Sequence, residues 1–160
     1  MDKLDKRILK ELQEDGRLTN AELAERVGLS ATPCARRVKQ LEEEGIIERH
    51  AVLLNASKLG LKLHALVQIS MDKHTPERFE HFEAEVNKYP EVIELMLITG
   101  QSADYLLKLV LPDMEHYHDF LLNKITRIEV VADVHSSFIM RSVIDKTALP
   151  LGYIPETGRA

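Results

Sequence analysis

Apolar residues recur at Leu4, Ile8, Leu9 and Leu12, the one-sided stripe of an amphipathic helix. Gly16 ends it. Thr19-Asn20-Ala21-Glu22 reads as a capping box, followed by Leu23, Ala24 and Val27 on the apolar face of a short second helix. Gly28-Leu29-Ser30 interrupts the pattern. Ser30 suits an N-cap, and Pro33 falls in the first turn of a third helix, where its missing N–H does no harm. That helix runs to about Glu44 and stops at Gly45. The apolar, partly β-branched stretch Ile46 to Leu54 is expected as a strand or extended hinge.

From Leu63 the period changes to two. Leu63, Ala65, Val67, Ile69 and Met71 alternate with His64, Leu66, Gln68, Ser70 and Asp72, which predicts a strand. Thr75-Pro76-Glu77 opens a helix with Phe79, Phe82 and Val86 on one face, ending before Pro90. Strands are expected over Val92 to Thr99 and Asp104 to Leu111, joined by a hairpin through Gly100-Gln101-Ser102-Ala103. Pro112-Asp113 begins another helix with Met114, Tyr117, Leu121 and Ile125 inward, and Val130 to Asp145 reads as a long last strand.

Three helices followed by β-α-β-β-α-β predict an α+β chain. Residues 1–50 would form a helix-turn-helix domain of winged-helix type, 51–62 a hinge, 63–150 a ferredoxin-like domain and 151–160 a tail. A ferredoxin-like sheet carries both helices on one face. Leu66, Leu106, Val110 and part of the run Ile93 to Ile98 are left on the other. An apolar face of that size marks an interface, so at least a dimer through the second domain is expected.

Charge qualifies this picture. The chain has 160 residues, a net charge of -5 and a single cysteine, Cys34. One cysteine forms no internal disulfide and no cysteine-rich zinc site, which fits a reducing compartment. No run approaches the ~18–20 apolar residues of a membrane helix, and the N-terminus lacks an apolar signal core. A DNA-binding domain is expected to carry a basic patch, yet residues 1–50 hold 10 Lys+Arg against 11 Asp+Glu.

Placement resolves that conflict. At about 100° per residue, Cys34, Val38 and Leu41 form the buried stripe of the third helix, while Thr32, Arg36, Lys39 and Gln40 lie opposite and Arg37 flanks them. Glu42, Glu43 and Glu44 gather at the far end. Arg36 and Gln40 are the residue types that make bidentate contacts to guanine and adenine in a major groove. Thr32 reaches a base or a phosphate. Thr19, Asn20, Ser30 and Pro33 sit at helix N-termini suited to phosphates, and Arg37 and Lys39 are candidate phosphate clamps. So few cations imply modest affinity per copy, with strength from several copies on one site. Cys34 reads as a packing residue.

With these residues in hand, the chain resembles the Lrp/AsnC family, the leucine-responsive or feast/famine transcriptional regulators. The resemblance rests on Asp5-Lys6-Arg7-Ile8-Leu9, Gln13-Glu14-Asp15-Gly16-Arg17, Asn20 to Ser30, Thr32-Pro33-Cys34 and Arg36-Arg37-Val38. In the second domain it rests on Thr99-Gly100, Asp104 to Lys108, Pro112-Asp113-Met114, Ser136-Ser137-Phe138, Thr147 and Leu149-Pro150. It implies a sequence-specific DNA-binding regulator of amino-acid metabolism genes that works in the cytoplasm on the nucleoid. It also implies dimers assembling to octamers or similar discs, and an amino-acid effector bound between neighbouring effector domains near the hairpin. Carried onto this chain, the effector residues are Thr99, Gly100, Gln101, Ser102, Asp104 and Tyr105, with Ser136 and Ser137 on the last strand. Backbone N–H groups around Gly100 would take the carboxylate and Asp104 the α-ammonium. A turn carboxylate capping the hairpin is the other reading of Asp104. This chain has three residues between Gly100 and Asp104, where the family often has two.

Enzymatic readings find no support in the residues. His116 and His118 lie about 200° apart on a helix, and His74 and His81 lack an evident third ligand. No phosphate-binding glycine loop or nucleophile–base set is present, and no cofactor is expected beyond the amino-acid effector. The competing reading is a ligand-binding module whose three-helix domain docks another protein and leaves Arg36, Arg37, Lys39 and Gln40 indifferent to DNA.

Overall fold

The computed structural model of the chain describes residues 1–100 and 103–156. It divides into two units, one built from residues 1–53 together with 144–156, the other from 54–143.

The first unit holds three helices, α1 (Lys3–Glu14), α2 (Asn20–Val27) and α3 (Ala31–Glu43). Their starts are set by side chains. Asp2 caps α1 in a reciprocal box with Asp5, and Thr19 caps α2 in a box with Glu22. The α2–α3 turn depends on Gly28, whose left-handed backbone (φ 74°) favours glycine. Ser30 stands at the N-cap of α3 as expected, but its hydroxyl makes no capping bond. Ile8, Leu9, Leu23, Ala24, Val27, Cys34 and Leu41 form the buried core. Each lies on the stripe its helix predicts.

Ile46 to Leu54 forms no strand. Val52, Leu53 and Leu54 are exposed, so the segment is the extended hinge and not a paired strand. The chain expected as the end of the second domain and its tail behaves differently from both expectations. Residues 144–156 group with the helices, with Leu151 packed against their core.

The second unit contains β1 (Leu63–Met71), α4 (Pro76–Val86), β2 (Val92–Leu97), β3 (Tyr105–Leu111), α5 (Met114–Asn123) and β4 (Val131–Phe138). The sheet order is β2-β3-β1-β4, with every neighbouring pair antiparallel. This is the ferredoxin-like arrangement. Ala65, Val67, Ile69 and Met71 of β1, with Tyr105, Leu107, Leu109 and Leu111 of β3, are buried against Phe82 and Val86 of α4 and Tyr117 and Phe120 of α5. Leu66, Leu106 and Val110 are half-buried on the opposite face.

Several element ends differ from expectation. β4 stops at Phe138, not Asp145, because its sole partner β1 runs out: Ala65 pairs Phe138, and Ile139 donates to His64 before β1 ends. β2 stops at Leu97, and the Ile98 N–H donates to the Asp104 carbonyl to close the hairpin. Met114 is exposed at the first position of α5, and Ile125 is buried from a 3-10 turn after that helix.

Candidate functional site

The first unit presents one polar helix face. On α3, Thr32, Arg36 and Lys39 are exposed, Gln40 is half-buried, and Cys34 and Leu41 are fully buried on the opposite side. Arg36 has no hydrogen-bond or ion-pair partner among the described residues. Lys39 lies 3.4 Å from Glu43 one turn on, both side chains well exposed, a pair that water screens strongly. Gln40 donates to Glu44 at 2.6 Å. The Thr19 hydroxyl lies within its capping box, 2.7 Å from Glu22. Asn20 and Ser30 are exposed at the starts of α2 and α3, and Pro33 is half-buried.

Arg37 corrects the sequence reading. Its guanidinium lies 2.6 Å from Asp2 and 2.8 Å from Asp5, and Asp5 has no solvent exposure. These two hydrogen bonds hold its pKa above the ordinary arginine value. A cation held by two carboxylates inside its own domain does not serve as a phosphate clamp. Asp2 and Asp5 escaped the sequence reading, although their spacing of three is that of a capping box. No local signal connects them to an arginine more than thirty residues away.

In the second unit the hairpin residues Thr99 and Gly100 are exposed. Gln101 and Ser102 lie outside the described residues. Gly100 has open space where a Cβ would stand, so no close approach among the described residues calls for glycine there. Asp104 is doubly engaged: one carboxylate oxygen accepts the Met71 N–H at 2.7 Å and the other lies 2.7 Å from His74 Nε2. The carboxylate thus ties the hairpin to the end of β1, as the capping alternative has it. Tyr105 is also corrected. It is buried, its hydroxyl donates to Glu83 at 2.6 Å, and burial followed by the Glu83 carboxylate pushes its pKa well above the ordinary phenol value. It belongs to the α4–sheet packing and lines a groove of about 560 Å³ together with Glu80, Glu83, Ala84, Asn87, Leu95 and Leu97.

Ser136 and Ser137 do not converge with the hairpin. Ser136 pairs with Val67 and its hydroxyl meets that of Tyr117 on α5, while Ser137 pairs with Leu66 on the open face. Successive strand residues point to opposite faces, so within one subunit the two hydroxyls lie on opposite sides of the sheet. β4 also lies two strands from β3 in the sheet, roughly 10 Å at the usual strand spacing.

Comparison with known proteins places both units. A family model for a winged helix-turn-helix DNA-binding domain matches residues 1–48. A model described as the Lrp/AsnC ligand binding domain matches residues 64–149. The chain is 41% identical over 145 residues to a leucine-responsive regulatory protein of Rhizobium meliloti, covering 91% of this chain and 92% of the relative. It is 42% identical to the Salmonella typhimurium protein of the same name, over 89% of this chain and 87% of that one. Among solved structures, a transcriptional regulator from Neisseria meningitidis in complex with L-Met superposes with a TM-score of 0.92 at 41% identity, covering 97% and 99% of the two chains. An AsnC family regulator from Agrobacterium tumefaciens superposes at 0.91 with 42% identity, covering 97% and 100%.

Proposed function

The chain belongs to the Lrp/AsnC family of DNA-binding transcriptional regulators, and we propose that it reads its operator through Thr32, Arg36, Lys39 and Gln40 of α3 and adjusts that binding to an amino acid. Arg36 carries the DNA part of this reading. It is exposed, unpaired among the described residues, and stands opposite the buried stripe of the helix. A guanidinium in that position suits a bidentate contact to guanine O6 and N7. The exposed starts of α2 and α3, at Thr19, Asn20 and Ser30, suit phosphates. Lys39 joins them once its exposed pair with Glu43 is exchanged for DNA. The test is an electrophoretic shift on the chain's own upstream region. Salt-sensitive binding weakened about tenfold or more by Arg36→Ala supports the role; unchanged binding removes it.

The effector reading rests on the match to a ligand-binding domain and on the L-Met complex of the Neisseria relative. The amino acid sits at the hairpin Thr99 to Ala103, between effector units of neighbouring subunits. A single subunit leaves Ser136 and Ser137 away from that hairpin and on opposite sheet faces, so any further polar partners come from another copy. Subunits pair through the open sheet face bearing Leu66, Leu106 and Val110 and assemble further, to an octamer or a similar ring. Such a regulator works in the cytoplasm, on the nucleoid. No helix among the described residues is long and apolar enough to cross a membrane. A thermal-shift panel of the free amino acids, leucine and methionine included, reads the effector directly, because a ligand bound to the folded state raises its melting temperature. A flat panel removes the effector reading.

A further inference from the structure

The outer face of α1 is covered by this chain's own C-terminal segment. The Gln13 side-chain oxygen accepts the Leu149 N–H at 2.6 Å, and its amide N–H₂ donates to the Leu149 carbonyl at 3.4 Å. About two turns toward the helix start, the Lys6 ammonium donates to the Ile154 carbonyl. The Glu156 carboxylate lies 3.9 Å from Lys6 and 4.0 Å from Lys3. The segment therefore runs antiparallel to α1, from Gln13 back to Lys3. Gln13 and Lys6 are separated by about 10 Å along the helix, a span that Leu149 to Ile154 bridges through the 3-10 turn Leu151–Tyr153.

Two features make this a built contact. Leu151 packs into the apolar cluster of α1, α2 and α3, and the Lys6 side chain retains only 17% of its exposure, uncommon for a lysine on an outer helix face. Pro150 and Pro155 flank the turn. Their fixed φ lowers the entropy lost when the segment is ordered. At its other end the segment leaves β4, which is held by the Ile139 N–H on the His64 carbonyl and by Phe138 edge-on to Tyr117 at 5.0 Å. Between the two anchors, residues 140–150 are exposed.

We propose that residues 149–156 are a strap that completes the DNA-binding unit. The effector unit is then joined to that unit at both of its ends, by the hinge after α3 and by β4 through the strap. On the amino-acid reading above, the continuity of the chain from β4 into the strap is one route by which an effector-dependent change in the sheet alters DNA affinity.

The test compares the full chain with a chain ending at Ala148 and with Gln13→Ala, which breaks the strap's two-point contact without touching the apolar core. Truncation is expected to leave oligomer size unchanged, speed α1 amide exchange about tenfold or more and weaken operator binding about tenfold. Gln13→Ala moves both quantities in the same direction by about threefold. The truncated chain still binds the amino acid by calorimetry, but its DNA affinity responds to it less. Unchanged α1 exchange with DNA affinity within about twofold overturns the strap, as does a loss of oligomer size, which would make it an assembly element. A full amino-acid response in the truncated chain overturns the coupling. A wild-type chain that binds no amino acid overturns the coupling together with the effector reading, while exchange and DNA affinity still decide the strap.

Discussion

The Arg37 guanidinium on α3 lies 2.8 Å from the carboxylate of Asp5 on α1, a side chain wholly removed from solvent. Asp5 also closes the α1 capping box with Asp2, whose carboxylate takes a second bond from the same arginine. One cation thus joins the start of α1 to the middle of α3, beside the DNA-facing Arg36 in the sequence.

Removing Arg37 leaves a buried carboxylate without its counter-charge. Arg37→Met is expected to destabilise the DNA-binding unit by about 3 kcal/mol, the low end for a broken buried pair. Chemical denaturation checks this. Arg36→Ala, on the exposed face, should leave stability within about 0.5 kcal/mol. A phosphate-contacting cation lowers the salt slope of DNA binding by about 1 when removed. Arg37→Met measured below its melting range should leave that slope unchanged.

Acid should act on the same cluster. Burial raises the Asp2 pKa, but the Asp5 N–H and the Arg37 guanidinium outweigh it and hold the carboxyl below its ordinary value of 3.8. A carboxyl depressed in the folded state contributes stability in full above its unfolded pKa. That contribution fades as pH falls through the lower folded value. The first unit should therefore lose stability below about pH 4, followed by circular dichroism across an acid series, and Arg37→Met should flatten the loss.

The histidine at the start of α5 shifts the opposite way. His116 Nδ1 lies 2.7 Å from Asp113, and that hydrogen bond, then the Asp113 charge, raises its pKa above 6.5. Its contribution is present below the unfolded pKa and is lost as pH rises through the higher folded one. An NMR titration should place the His116 midpoint above 6.5, and Asp113→Asn should bring it back toward the ordinary value.

On the open sheet face, Leu106 stands beside Met96 of β2 and Gln68 of β1. Leu106→Lys would put a charge at the centre of the proposed subunit contact. Sedimentation should show dissociation to smaller species with the effector fold retained. An unchanged assembly would move the interface elsewhere.

Much of this molecule follows from its sequence alone. The period of 3.6 residues gave the three helices and their buried stripes, because one-sided burial is a local property of the chain. The period of two gave β1 for the same reason, and the element order carried the ferredoxin-like class. Family-specific motifs carried the function. Tertiary structure decided what depends on partners distant in the chain. Arg37 and Arg36 are neighbours of the same type, yet only Arg37 meets two carboxylates brought in by α1. Asp104 is taken up by Met71 and His74, residues some thirty positions earlier. Ser136 and Ser137 are separated by the pleat once β4 is paired. Residues 149–156, which carry no periodicity to read, find their place only because Gln13 and Lys6 of α1 and the apolar cluster that meets Leu151 already stand on a folded unit.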